Sequence, residues 1–212
     1  MQKSAPRFTL LAVLAGIATL LFACAGAPSP DDTDIAQRAA AMMKLDFAGL
    51  GPAWAARIDQ DDVQAICTEY RDVPPPDVAA KIQASQLPTI RYPASTKLIG
   101  DWQKGEAIAQ LGRGLQFSDP PDGPNGGNCY ACHQLAAAEI SYGTIGPSLR
   151  NYGKLRGASE DMLRYTYGKI YNAEAYAACS NMPRFGHNKI LTPEQISDVV
   201  ALLLDPASPV NQ

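Results

Sequence analysis

Basic charge is not in surplus in this chain of 212 residues, where 18 Lys and Arg face 21 Asp and Glu for a formal net charge of -3. A general nucleic-acid binder needs a cationic face to neutralise phosphates, so that class is excluded. Long apolar runs are also missing, with one exception near the start: residues 8–23 follow Lys3 and Arg7, carry no charge and end in small side chains. That is the pattern of an export signal. It is too short and wrongly flanked for a membrane span, and no other stretch approaches the length that crossing a bilayer requires. Residues 1–27 are therefore expected to be removed, which takes two basic side chains with them and leaves a net charge of -5. The mature chain is expected in the periplasm. Within the signal, Leu21-Phe22-Ala23-Cys24 has the form of a lipoprotein cleavage box, although Phe22 is larger than that pattern prefers. Two outcomes stay open, lipidation of Cys24 or plain cleavage nearby. A membrane is a partner only in the first.

Cysteine is scarce at five residues and histidine scarcer at two. With those numbers an accidental C-x-x-C-H has a probability of about one in a thousand by independent placement. One is nevertheless present, in Asn128-Cys129-Tyr130-Ala131-Cys132-His133. Residues three apart share a face on a turn of helix, so Cys129 and Cys132 can each form a thioether to a porphyrin vinyl group while His133 turns its imidazole onto the iron. The expected cofactor is one covalent haem c. Two other readings compete. The pair can be half of a zinc site completed by Cys179 and His187, or a thiol-disulfide motif. For the latter, Tyr130-Ala131 offers neither charge nor a proton carrier, and a histidine after the second cysteine has no evident role.

Thiols outside the cytoplasm tend to be paired. With Cys129 and Cys132 assigned to haem and Cys24 to the signal, Cys67 and Cys179 remain. A disulfide between them is expected; the alternative is two buried thiols.

Residues 28–96 read as a helical extension with no catalytic constellation. A helix is expected over residues 35–47 with a capping candidate in Asp31-Asp32-Thr33-Asp34, and a second over 59–71. In the second, Val63, Ile66, Cys67 and Tyr70 fall at i, i+3, i+4 and i+7 and make one apolar face. Pro74-Pro75-Pro76 should stop it, Asp77 should cap a short third helix, and Tyr92-Pro93 marks an extended linker. Met42 and Met43 are candidates to reach a metal, but methionine on a helix is more often core filling.

Residues 97–212 have the size of one compact domain. It should open with a helix over 100–111 carrying Trp102, Ile108 and Leu111. A loop rich in Pro and Gly then leads to the C-x-x-C-H. Three residues are candidates for the sixth ligand. Met162 lies in a helix capped by Ser159, at core spacing. Met182 sits before Pro183, which keeps it out of helical geometry and suits presenting a side chain to a ligand. His187 is the third. A final helix should begin with Thr192 as cap, Pro193 at its first position and Gln195 closing a capping box, and run to Leu204, with Ile196, Val199, Val200 and Leu203 packed on the opening helix. Arg150, Lys154, Arg156, Arg184 and Lys189 form either a basic docking face or a solvated mixed surface.

A helix with Gly and an aromatic residue, then C-x-x-C-H, then Gly146-Pro147-Ser148-Leu149 resembles the class I cytochrome c fold. That resemblance implies an all-α haem domain in which the Pro147 carbonyl accepts the distal N–H of His133, fixing its tautomer. The combination with Tyr152-Gly153, with Asn181-Met182-Pro183-Arg184-Phe185-Gly186 and with Leu191-Thr192-Pro193-Glu194-Gln195-Ile196 is similar to SoxX, the monohaem subunits of the SoxAX cytochromes of sulfur-oxidising bacteria. This implies a dihaem or monohaem SoxA-type partner, a SoxYZ-type carrier protein engaged through the complex, and a downstream cytochrome as electron acceptor. The reaction implied is the oxidative coupling of thiosulfate to a carrier cysteine, the activity of an L-cysteine S-thiosulfotransferase complex. Its bond-forming site would lie on the partner, and this chain would have no catalytic residues, only Cys129, Cys132, His133, Pro147 and Met182 around one haem. Two alternatives are a free monohaem carrier and a haem enzyme with an open iron site.

Overall fold

The structure, a computed structural model, describes residues 30–49, 57–114, 119 and 122–212. The export segment and Cys24 lie outside the described residues. All regular structure among the described residues is helical, and no helix there is long and apolar enough to cross a membrane. The chain divides into two units, residues 1–60 and 61–212.

The first unit holds one described helix, α1 (Pro30–Ala48). It begins before residue 35, so Asp31, Asp32, Thr33 and Asp34 lie in its first turns instead of capping it. Met42 and Met43 are 64% and 49% exposed, which corrects the core-filling expectation for both. Short-range charge pairs serve this polar helix instead, with Arg38 3.7 Å from Asp34 one turn away.

The second unit starts with α2 (Asp62–Glu69). Its start is set by a reciprocal cap. The Asp61 carboxylate accepts the Gln64 N–H at 2.9 Å, and the Gln64 side chain accepts the Asp61 N–H at 2.9 Å. This places the first turn later than the expected residue 59. Val63 and Cys67 face inward, as the i, i+4 spacing requires. Next, α3 (Pro76–Gln86) has Pro75 as its cap position and Pro76 at its start. Asp77 therefore falls inside the first turn and pairs with Lys81 at 3.4 Å, where a cap had been expected.

The haem-motif region is framed by α4 (Trp102–Gln110), α5 (Tyr152–Arg156), α6 (Glu160–Tyr171) and α7 (Pro193–Leu204). Caps by Asp101, Ser159 and Thr192 open three of them, the last with the Thr192–Gln195 box. The expected boundary at residue 96 is not where the described chain divides. Buried Tyr167 donates to the Arg91 carbonyl at 2.8 Å, and buried Asn172 donates to Gln86 and Thr89 at 3.0 and 2.9 Å. Polar groups shut away from water need such partners, and the stretch after α3 supplies them. Ile90 and Leu98, on either side of the expected linker at Tyr92-Pro93, both join the main core.

Two helices, α4 and α7, cross closely at a glycine. A Cβ on Gly105 would stand 2.1 Å from the Asp198 carbonyl oxygen and 3.0 Å from the Leu202 Cβ. At this glycine the nearest α7 residues are Asp198 and Leu202; Ile108 and Ala109 of α4 share one core with Ile196, Val199, Val200 and Leu203 of α7. Gly105→Ala should destabilise by about 1–3 kcal/mol through overpacking. Intrinsic helix propensity alone would stabilise the same change by about 1 kcal/mol, so the sign of the shift in a urea midpoint decides between the two effects.

Cys67 and Cys179 form a disulfide across 112 residues of chain. Around it lies a small second core of Val63, Cys67, Ile82 and Cys179.

Candidate haem site

The C-x-x-C-H turn is held at both ends by backbone bonds. Before it, Gly127 N–H donates to the Ile108 carbonyl at 2.8 Å and Asn128 N–H to Leu111 at 3.1 Å, so the end of α4 delivers the chain. Asn128 takes a left-handed conformation, φ 45°, which reverses direction into a short 3₁₀ turn, Cys129–Ala131. Asparagine tolerates that region better than most residues with a Cβ. The turn is tighter than the α-helical one expected, and side chains three apart nearly eclipse on it. After it, Gly143 N–H donates to Tyr130 and Gly146 N–H to Cys132, each at 2.8 Å, folding the following loop back over the motif.

That fold-back sets the histidine. His133 donates from Nδ1 to the Pro147 carbonyl at 2.7 Å. A carbonyl only accepts, so Nδ1 is the nitrogen that carries the donated proton and Nε2 is the one left for a metal. Space for the ring exists because residue 146 has no side chain: a Cβ there would come within 2.1 Å of the imidazole Cε1.

Cys129, Cys132, His133, Pro147 and Met182 all line one cavity of about 690 Å³. Its wall is largely apolar, with Leu149, Ile170, Phe185 and Leu203 among the lining residues, and Arg150, Arg156 and Lys169 add positive charge to it. Met162 and His187 are not in that wall. Met162 packs on the core, and its sulfur accepts from the Tyr152 hydroxyl at 3.7 Å. His187 sits by Arg184 and Asp61; burial first, and then the Arg184 charge, push its pKa down despite Asp61.

The sequence pattern of the cytochrome c family matches residues 124–205. A curated relative, an uncharacterized lipoprotein of Aquifex aeolicus (strain VF5), is 42% identical over 156 residues, which is 72% of this chain and 73% of the relative. Residues 124–205 form a cytochrome c domain.

A cytochrome c domain implies a covalently bound haem c, and the residues of the cavity fit one. Cys129 and Cys132 are both free thiols, one opening the short turn and the other capping its end, beside a histidine with an available Nε2. An apolar wall suits a flat aromatic macrocycle, and the cationic side chains suit its carboxylates. In the cytochrome, Cys129 and Cys132 would hold the ring and His133 would bind the metal. The zinc alternative loses a ligand, because Cys179 is committed to the disulfide. Among the described residues the metal-ligating group found is Cys67, Asp72 and Cys179, two of which share that bond. The thiol-exchange alternative needs a thiolate at neutral pH, whereas burial pushes the Cys129 thiol up to about 12.

The expected basic face is also altered. The Arg184 side chain is only 8% exposed and forms an ion pair with Asp61, so it is spent inside the fold. Burial works to raise the Asp61 pKa, but the Gln64 N–H and the Arg184 guanidinium outweigh it and hold the carboxyl below its ordinary value. A carboxylate whose folded pKa is depressed adds stability above its unfolded value, near 3.8, and that contribution disappears as pH falls through the lowered folded value. Asp61→Asn keeps a competent cap and removes the charge. Its melting temperature should lie below that of the parent at neutral pH, and the gap should close below about pH 3.8; a gap independent of pH would exclude the charge as its cause. The effect is modest, because Asp61 is 43% exposed and water screens it.

Sequence reasoning identified neither Gly146 as a residue of the site nor the pairing of Asp61 with Arg184. Gly146 had a signal, since it precedes the proline whose carbonyl receives His133. The pair had none, because its two members lie far apart in the chain.

Proposed function

We propose that this cytochrome is a single-haem electron carrier outside the cytoplasm, with His133 and Met182 as the two axial ligands and no position left for substrate. The observation that carries this reading is the presence of His133 and Met182 in the wall of one cavity from which the other two candidates, Met162 and His187, are missing. When bound, the haem supplies one site that takes and gives a single electron. Met182, a soft thioether, favours the reduced iron and raises the potential relative to a second histidine. The apolar wall penalises the extra charge of the oxidised state in the same direction. Pro147 keeps the imidazole orientation fixed through both states.

The finer reading is the electron-accepting subunit of a SoxAX-type complex, working with a SoxA-type cytochrome, a SoxYZ-type carrier and a downstream cytochrome. It is supported by the residues from Gly146 to Leu149 and from Met182 through Ile196. Forming a sulfur–sulfur bond between thiosulfate and a carrier cysteine releases two electrons, and one haem accepts them one at a time. A lipid anchor at Cys24 is supported by the Leu21-Phe22-Ala23-Cys24 box and by the relative's description as a lipoprotein.

Protein exported and matured in a periplasm should keep one haem per chain under denaturing conditions and show the charge-transfer band of methionine-bound ferric iron. Mixed with a SoxA-type subunit it should form a heterodimer, and its haem should be reduced on adding thiosulfate and carrier. A chain that stays monomeric and oxidised in that mixture refutes the finer reading. A chain without the band, whose iron takes up cyanide at once, refutes the closed iron as well.

A further inference from the structure

The disulfide and the Arg184–Asp61 ion pair have one thing in common: both tie the loop that carries Met182 to the same short stretch, α2 and its cap. Cys179, three residues before Met182, is bonded to Cys67. Arg184, two residues after it, pairs with Asp61. The small second core of Val63, Cys67, Ile82 and Cys179 closes on the same loop end. The groups that hold the loop from outside it, Asp61, Val63, Cys67 and Ile82, all precede the part of the chain that matches the cytochrome c family, residues 124–205.

Two more contacts hold the loop from within. Buried Glu174 accepts the Cys179 N–H at 2.6 Å, and the Ser180 hydroxyl accepts the Met182 N–H at 3.2 Å. Cys179 itself is left-handed at φ 58°, a costly conformation for a residue with a Cβ that persists only where its surroundings impose it.

We infer that the segment from Asp61 to Cys67 is a positioning strap, which holds Met182 in its axial place by bolting the loop on both sides of it. This rests on Met182 being the sixth ligand. A thioether is a weak ligand, and the time it spends off the iron depends on how far its loop can move once released. With Cys179 fixed, Met182 can travel no further than about 10 Å, the extended reach of three residues; with Arg184 fixed as well, about 7 Å. The ligand is thus kept at high effective concentration. Removing the strap leaves the cysteines of the haem motif, His133 and the main core in place, and lets the Met182 loop open. The extension then has a purpose that a minimal haem domain would not need: it closes the iron against small exogenous ligands.

The test uses the full-length ferric holoprotein, and cyanide as the probe. A thiol reductant would also reduce the iron, so the bond is removed by Cys67→Ser with Cys179→Ser. The charge-transfer band should weaken, and cyanide should bind faster by about tenfold or more, in proportion to the larger open fraction. Asp61→Asn, which keeps the cap, should move both in the same direction by a smaller factor, and it carries the test if the double variant does not mature. Val210→Ala, buried in the main core but absent from the cavity wall, should lower the melting temperature without changing band or rate. Strap variants with parental band and cyanide rate overturn the proposal while leaving Met182 as ligand. A parental protein without the band, or a band that survives Met182→Ala, overturns the ligand assignment instead.

Discussion

Met182→Ala is expected to abolish the charge-transfer band of the ferric protein, lower the reduction potential and open the iron to cyanide. The cavity wall includes one histidine, His133, and one methionine, Met182. If Met182 is off the iron about one part in a hundred, its removal should speed cyanide binding by about a hundredfold, since the apparent rate scales with the competent fraction. The fall in potential follows from losing a soft ligand that favours the reduced state. Met162→Ala makes the contrasting case. Its sulfur is engaged by Tyr152 and its side chain packs on the main core, so truncation should cost about 2 kcal/mol or more of stability and leave the band intact. His187→Ala should also leave it intact. A band that persists in Met182→Ala, or vanishes in either of the others, would reassign the ligand.

Gly146→Ala should be nearly as damaging, for a steric reason. The added methyl would lie 2.1, 2.5 and 2.7 Å from three atoms of the His133 ring, none of which is the far end of a flexible chain. Either the imidazole turns, and loses its bond to the Pro147 carbonyl, or the loop lifts, and Gly146 N–H leaves the Cys132 carbonyl. In the first case the tautomer is no longer fixed and the lone pair no longer faces the cavity. The yield of matured holoprotein should fall by about tenfold, equivalent to about 1.4 kcal/mol of lost preference for the seated ring. What does mature should have an altered ferric spectrum. Full yield with an unchanged spectrum would mean that the ring has room to spare.

How much of this was legible in the chain depends on the range of the interaction. The Thr192–Gln195 box and Pro193 predicted the start of α7 at the observed residue, because a cap is satisfied within one turn. Ser159 did the same for α6. Where two local signals competed, the reading slipped. Pro76 took the first helical position of α3 and left Asp77 inside it, and the box between Asp61 and Gln64 displaced the start of α2. The apolar spacing of Val63 and Cys67 correctly placed that cysteine inward. The use of Arg184 was misread because its charge looks like a surface charge until Asp61 is found beside it.

The sequence by itself determined the chemistry of this cytochrome. C-x-x-C-H is a local arrangement that means the same in any surroundings, since two thiols and an imidazole within five residues cannot be far apart. Only the tertiary structure decided which methionine shares the haem cavity, that residues 61–96 fold with the haem domain, and that both anchors of the Met182 loop come from α2 and its cap. Those contacts join residues distant in the chain, 112 positions apart for Cys67 and Cys179. Periodicity and capping carry no information at that distance, because closure of so long a loop is decided by the packing of the whole core.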